Sequence, residues 1–185
     1  VVDALLELGA ADRPVGVVDV GTGSGAIALA VKKARPGWNV VGVDVSAAAL
    51  DVATGNAAQL GLDIVLRLSD WFAALEGERF DLIACNPPYV ASGDMHFEGS
   101  LRHEPRGALD AGADGLDAIR AVLGAAPAYL VPGGRIVLEH GYDQRAAVVA
   151  IAASAGLAVV DLRDDLAGRA RVAILEAAPP RRAPR

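Results

Sequence analysis

The sequence predicts a single α/β domain, a mostly parallel β-sheet covered by helices on both faces. Three observations predict it. The chain has 185 residues, a length that suits one compact domain. Short β-branched runs alternate with segments of helical spacing along it. Several of those runs are apolar throughout rather than alternating, the mark of strands buried on both faces.

The elements follow in order. "VGVVDV" (Val15–Val20) is a strand that ends at "GTGSG". "AIALAVKKA" (Ala26–Ala34) has helical spacing and stops before Pro36 and Gly37. "NVVGVDV" (Asn39–Val45) is a second strand, after which Ser46 is placed to cap an alanine-rich helix running to about Leu60. "DIVLRL" (Asp63–Leu68) and "FDLIAC" (Phe80–Cys85) are the third and fourth strands. A polar loop from about Ala91 to Ala113 leads to a helix over Gly115–Leu130, the turn "PGG", a strand over Arg135–His140 and a helix over Gln144–Ala155. Two more strands are expected near Leu157–Leu162 and Arg171–Ala177. Only a short polar loop separates them, so they should form an antiparallel pair at one edge. The domain is expected to fill residues 1–178, with a frayed Pro/Arg-rich tail over 179–185. There are no internal repeats.

Composition narrows the function. At 53% hydrophobic and 22% charged residues the chain can build a sizeable core. A formal charge of −6 argues against general electrostatic binding of nucleic acid, while leaving room for a local basic patch. Cys85 is the sole cysteine, so no intramolecular disulfide forms, and with only His96, His103 and His140 beside it no Cys/His metal cluster is expected. A reducing cytoplasm is the simplest setting. No apolar run approaches the roughly 18 residues of a membrane helix. No signal peptide is visible, and the opening "VVDALLEL" lacks a methionine, which suggests that the natural start is missing.

In sheets of this kind ligands bind beyond the carboxyl ends of the strands. "DVGTGSG", "VDV", "SDW", "NPPY" and "LEHG" all fall there. Gly21, Gly23 and Gly25, with Thr22 and Ser24 between them, let the backbone turn tightly and approach a ligand closely, although a bare strand-to-helix turn has the same composition. Gly21, Gly23 and Ala26 satisfy the loose dinucleotide pattern G-x-G-x-x-G/A, and Asp44 lies where a ribose-binding acid belongs. A dinucleotide would bring an anionic pyrophosphate to the helix start, where Asp19, at the mouth of the site, would repel it. S-adenosylmethionine (SAM) carries a sulfonium and an ammonium instead. Asp19 suits that ammonium, directly or through water, and Asp44 can accept hydrogen bonds from both ribose hydroxyls. Asp70 and Trp71 end the third strand, where the indole can stack on adenine or simply fill the core.

"NPPY" closes the fourth strand. Proline removes a ladder hydrogen bond, so the motif must lie past the last pairing. It presents two acceptors on a stiff backbone, the Asn86 side-chain oxygen and the Pro87 carbonyl, followed by Pro88 and the flat face of Tyr89. Two acceptors converging on one spot make a receptor for a planar, conjugated –NH₂, a carboxamide or an exocyclic amine. Accepting both N–H bonds polarises the nitrogen and orients its lone pair. A merely rigid turn remains the plain alternative.

Together "DVGTGSGAIALA", "VDVS", "SDWF", "NPPYV", "HEPRGALDAGADGLDAIR" and "LVPGGRIVLEHGYDQ" resemble the protein-(glutamine-N5) methyltransferases that modify peptide-chain release factors, the HemK/PrmC family. The likeness covers essentially Val15 to Ala177. "NPPY" is shared with DNA-adenine and some RNA methyltransferases, while "HEPRGAL…GADGLD" and "LEHG…Q" discriminate more sharply. The resemblance implies a three-layer, Rossmann-like class I methyltransferase fold with a seven-stranded sheet whose last strand is antiparallel. It implies SAM contacts at Gly21 through Gly25, Asp44, Trp71 and Asn86, with S-adenosylhomocysteine as product. It implies substrate glutamine, from the Gly-Gly-Gln tip of a release factor, held by Asn86, Pro87 and Tyr89. The family's small N-terminal helical docking domain and its "P-x-x-x-T-E" stretch are absent from this sequence.

Glu104, with Pro105, follows a loop long enough to close over a substrate, where it would contact substrate, fix Arg106 or remain a surface acid. His103 can titrate near neutrality. Glu139 and His140 suit a structural hydrogen-bonding role, and Cys85 and Trp38 suit the core. The expected partner is a protein substrate, with no membrane or direct nucleic-acid contact, and a monomer is expected. The other functions left open are N-methylation of a nucleobase exocyclic amine, an oxidoreductase built on the dinucleotide pattern, and a SAM-binding module inactive without its docking domain.

Overall fold

A computed structural model describes residues 1–92 and 111–178. The chain opens with α1 (Val2–Leu8), which the sequence pattern left unassigned, and then alternates as β1 (Gly16–Val20), α2 (Ala26–Ala34), β2 (Asn39–Asp44), α3 (Ala47–Leu60) and β3 (Val65–Leu68), after which a single 3₁₀ turn (Ala73–Leu75) leads to β4 (Phe80–Cys85). Beyond the undescribed stretch come α4 (Asp117–Ala125), β5 (Leu130–Glu139), α5 (Arg145–Ser154), β6 (Leu157–Asp164) and β7 (Ala170–Ala177). The seven strands form one sheet in the order β3-β2-β1-β4-β5-β7-β6. The pairs among β1 to β5 are parallel, and β7 runs antiparallel between β5 and β6. The expected antiparallel edge pair and antiparallel last strand are both present.

Local chemistry explains most boundaries. Ser46 caps α3, its hydroxyl accepting the Ala49 N–H at 3.2 Å, and Gly61 closes the helix in the left-handed region at φ +64°. The helix expected over Gly115–Leu130 is shorter, ending at Ala125. Pro127 lacks the N–H an α-helix needs, so a 3₁₀ turn (Ala126–Tyr129) follows and Leu130 already begins β5. "PGG" is likewise not a turn before the strand but a bulge inside it. Phe80 pairs with Leu130 and Leu82 with Arg135, so residues 131–134 loop out against one residue of β4.

Strand alternation divides the core into two layers. Val17, Val40, Leu82, Ala84 and Val137 face α1, α2 and Trp38. Val18, Val20, Val43, Ile83, Cys85, Ile136 and Leu138 face α4 and α5. Cys85 and Trp38 are buried as expected, and the Trp38 Nε1–H donates to the Ala10 carbonyl at 3.1 Å. Among the described residues no helix is long and apolar enough to cross a membrane.

Candidate active site

Register aligns the carboxyl ends of the strands. Val20 pairs with Val43 on one side and Cys85 on the other, Asp44 with Leu68, and Cys85 with Leu138. The chain leaves β1 towards β2 on one side of the sheet, while β4 lies on β1's other side. Gly21 and Asn86 therefore emerge side by side at a topological switch point, where the two halves of the sheet part and a crevice opens.

The glycine loop is tied to β2. The N–H groups of Gly21 and Thr22 both donate to the Val43 carbonyl at 2.9 Å, and that of Gly25 to the Thr22 carbonyl at 2.9 Å. Gly21, Gly23 and Gly25 have φ of +73°, +57° and +82°, a backbone that any side chain would strain. Asp44 holds this loop against the start of α3, its Oδ2 accepting the Gly23 N–H and its Oδ1 the Ser46 N–H, each at 2.8 Å. Each oxygen keeps a second lone pair for a ligand. From α3, the Asn56 side chain donates to the Ser24 carbonyl at 2.9 Å.

Asp19 lies beneath the loop rather than at its mouth. On β1 it shares the α2 face with Val17, and it is 1% exposed. Its Oδ2 accepts from the Thr22 hydroxyl at 2.7 Å and from the Ala28 N–H at 3.2 Å, while its Oδ1 has no partner among the described residues. Burial pushes its carboxyl up to about 6; the bonds from Thr22 and Ala28 oppose that rise and the Asp44 charge adds to it.

Trp71 is the one non-glycine residue at positive φ (+45°) among the described residues. Buried Ser69 holds it there, donating to the Trp71 carbonyl and accepting the Ala74 N–H, both at 2.9 Å. The indole then lies 3.9 Å from the point a Gly21 Cβ would occupy.

These parts enclose one cavity of about 710 Å³, a volume typical of cofactor sites. Gly21, Gly23, Asp44, Trp71, Asn86 and Pro88 line it, as does Asp70. Thr22, Ser24 and Gly25 shape the loop without lining it. Asn86 is exposed, and no hydrogen bond among the described residues ties its amide down. Pro87 is buried, while Tyr89 is half-buried against the core with the Arg171 guanidinium 5.9 Å from its ring centroid. Neither lines the cavity. Burial is the main cause raising the Tyr89 hydroxyl above its ordinary pKa, with Glu139 adding to it. Glu104 and His103 lie outside the described residues.

Sequence reasoning missed Ser69 and the wall contributed by α4, where Asp117, Ala118 and Ala121 line the cavity. Ala118 and Ala121 are three apart, hence on one face of the helix, and their small size was the available signal. It also gave no role to Gln144. This side chain is buried, donates through Nε2 to the carbonyls of Tyr89 (3.0 Å) and Gly115 (3.1 Å), and accepts the Gly141 N–H on Oε1 at 2.9 Å. It thereby joins the ends of the "NPPY", "GADG" and "EHGYDQ" segments. His140 is fully buried with Nδ1 2.7 Å from the Gly141 carbonyl, and burial lowers its pKa, in keeping with a structural role. Among the described residues no three His, Cys, Asp or Glu side chains could hold a metal ion.

Comparison with known proteins agrees with this geometry. The chain is 54% identical over 160 residues to the release factor glutamine methyltransferase of Xylella fastidiosa (strain 9a5c), covering 85% of this chain and 58% of that protein. It is 50% identical over 158 residues to the protein of the same name from Bordetella pertussis, covering 84% and 58%. The chain thus spans 58% of the length of each of these relatives. Among solved structures, the ribosomal protein L11 methylase from Lactobacillus delbrueckii subsp. bulgaricus superposes with a TM-score of 0.69 at 22% identity, covering 95% of this chain and 77% of that one. A T. thermophilus 16S rRNA N2 methyltransferase, solved with AdoMet and guanosine, superposes with a TM-score of 0.66 at 25% identity, covering 96% and 41%. The model of the methyltransferase small domain matches residues 3–102, which carry the glycine loop, Asp44, Trp71 and "NPPY" alike. With its seven-stranded sheet and its strand-end cavity, the chain belongs to the methyltransferase small domain family.

Proposed function

We propose that this chain is the catalytic part of a SAM-dependent methyltransferase that acts on the side-chain nitrogen of the glutamine in the Gly-Gly-Gln tip of peptide chain release factors. One observation carries the reading: Asn86 and the Asp44-braced glycine loop line the same cavity at the β1/β4 switch point. The names of the relatives support the acceptor. SAM bound to the solved rRNA methyltransferase supports the donor.

The residues fit that donor. Asp44 and Asp70 line the cavity and Asp19 lies behind it, a setting hostile to a pyrophosphate and suited to a cationic ligand. Gly21 and Gly23 keep the loop side open, and Trp71 offers its ring to a base. When bound, SAM supplies a methyl group made electrophilic by its sulfonium. The Asn86 Oδ1 and the carbonyl of Pro87, a buried residue flanked in sequence by the cavity-lining Asn86 and Pro88, would accept the two N–H bonds of the glutamine carboxamide, which orients the nitrogen lone pair and favours pyramidalisation. That nitrogen would take the methyl group from SAM held there, which leaves as S-adenosylhomocysteine, and the one proton the nitrogen sheds would pass to solvent water. The same acceptor geometry would suit a nucleobase amine, so acceptor identity needs its own test.

Incubation with methyl-labelled SAM and either a release factor, its tip Gln→Ala variant or RNA provides it. Label is expected on the release factor alone. Asn86→Ala should lower transfer by about 10²-fold or more while changing the SAM Kd by no more than about threefold. Label on RNA, or equal label on the tip variant, would contradict the reading.

A further inference from the structure

We propose that Gln144 is the positioning residue of the acceptor end of this site, clamping the Asn86–Tyr89 turn to the start of α4 and to the end of β5. The consequence for catalysis rests on the function proposed above; the clamp itself does not.

The turn needs an outside anchor. Pro87 and Pro88 have no N–H, so two of its four residues cannot donate the hydrogen bonds that would fix it. Its handle is the Tyr89 carbonyl, and the Gln144 Nε2 takes it from 55 residues away in sequence. The second Nε2 hydrogen reaches the Gly115 carbonyl just before α4, the helix whose Asp117 and Ala118 line the cavity. The Gly141 N–H, two residues past the end of β5, donates to Oε1. Two carbonyls facing the nitrogen and one N–H facing the oxygen fix the orientation of the carboxamide.

Backbone was cleared for this contact. A Cβ at Gly115 would lie 2.7 Å from the Tyr89 carbonyl oxygen and 2.9 Å from Gln144 Nε2, and one at Gly141 would lie 2.9 Å from Gln144 Oε1. Immediately beyond the turn, the Ala111 N–H donates to the Val90 carbonyl at 2.9 Å, so the clamp also steadies that junction. No other side-chain type present in proteins supplies this set at this reach: Asn is one carbon short, and a glutamate carboxylate would press two lone-pair-bearing oxygens against two carbonyls. An error of about 1 Å at the Asn86 and Pro87 oxygens is enough to cost about 10²-fold in rate.

The test compares wild type with Gln144→Met, which keeps length and bulk, and Gln144→Glu. Amide hydrogen exchange is read over residues 84–92, 111–118 and 16–34, alongside SAM titration and methyl transfer to a release factor. In both variants exchange should rise by about tenfold or more over 84–92 and 111–118 and stay unchanged over 16–34. The SAM Kd should stay within about threefold and kcat should fall by about 10- to 100-fold. Unchanged exchange over 84–92, or a rise spread evenly along the chain, overturns the clamp. Exchange is read without any acceptor, so a wild type that transfers no methyl to the release factor contradicts the proposed function and leaves the clamp to be decided by exchange.

Discussion

Asp19 and Asp44 sit on neighbouring strands, and burial gives them different work. Asp44 keeps lone pairs open to the cavity while its oxygens hold the loop. Asp19 is sealed under that loop, where desolvation raises its carboxyl from 3.8 to about 6. The folded state therefore binds a proton that the unfolded state releases between these values. The stability this proton confers is complete below the lower value and is lost as pH rises through about 6. Comparing urea denaturation of wild type with Asp19→Asn between pH 4 and 7.5 should show the balance moving towards the variant by about 2 kcal/mol as pH rises. A difference that is flat with pH would contradict it. At this scale the sequence was legible in position: Asp44, Asn86 and Trp71, picked out at strand ends, all line the cavity. Ser69 and Gln144 were not legible, because their partners are backbone atoms that only the folded chain brings near. Asp19 was misplaced for a related reason: its face depends on the pleat of β1, which sends residues 17 and 19 towards α2.

Elements carry the next level of control. Glycine does opposite things at the two ends of α4. Gly115 has φ +72° and no room for a Cβ, whereas Gly124 lies inside the helix with open space around it. Gly115→Ala should cost about 2 kcal/mol or more, through backbone strain and collision with the Tyr89 carbonyl. Gly124→Ala should instead stabilise by about 0.5–1 kcal/mol. Thermal denaturation of the two variants side by side checks both signs, and destabilisation by Gly124→Ala or tolerance of Gly115→Ala would contradict the account. Strand and helix cores were readable from apolar runs and from caps such as Ser46. The boundaries that differed have local causes. Pro127 truncates α4, and "PGG" became a bulge because β4 is long enough to pair with β5 on both sides of it. α1 has only Ala4 and Leu5 fully inside, too short an apolar stripe to be read by itself.

For the whole molecule, strand order decides where chemistry can happen. The β1/β4 boundary sets the glycine loop beside "NPPY", although some 60 residues separate them in sequence. Alternating elements made the parallel sheet and its antiparallel edge pair predictable, since each is dictated by connection length. The cavity's α4 wall was not, because it depends on how a helix from the far half of the chain leans over the crevice. On the function proposed above, this crevice holds a methyl donor and a carboxamide acceptor together. A crystal structure with S-adenosylhomocysteine and a Gly-Gly-Gln peptide puts that arrangement to the test. The glutamine nitrogen is expected within about 2.7–3.2 Å of both the Asn86 Oδ1 and the Pro87 carbonyl oxygen, facing the thioether sulfur. A glutamine bound elsewhere, or a nitrogen turned from those oxygens while the nucleoside fills the glycine-lined side, would contradict it.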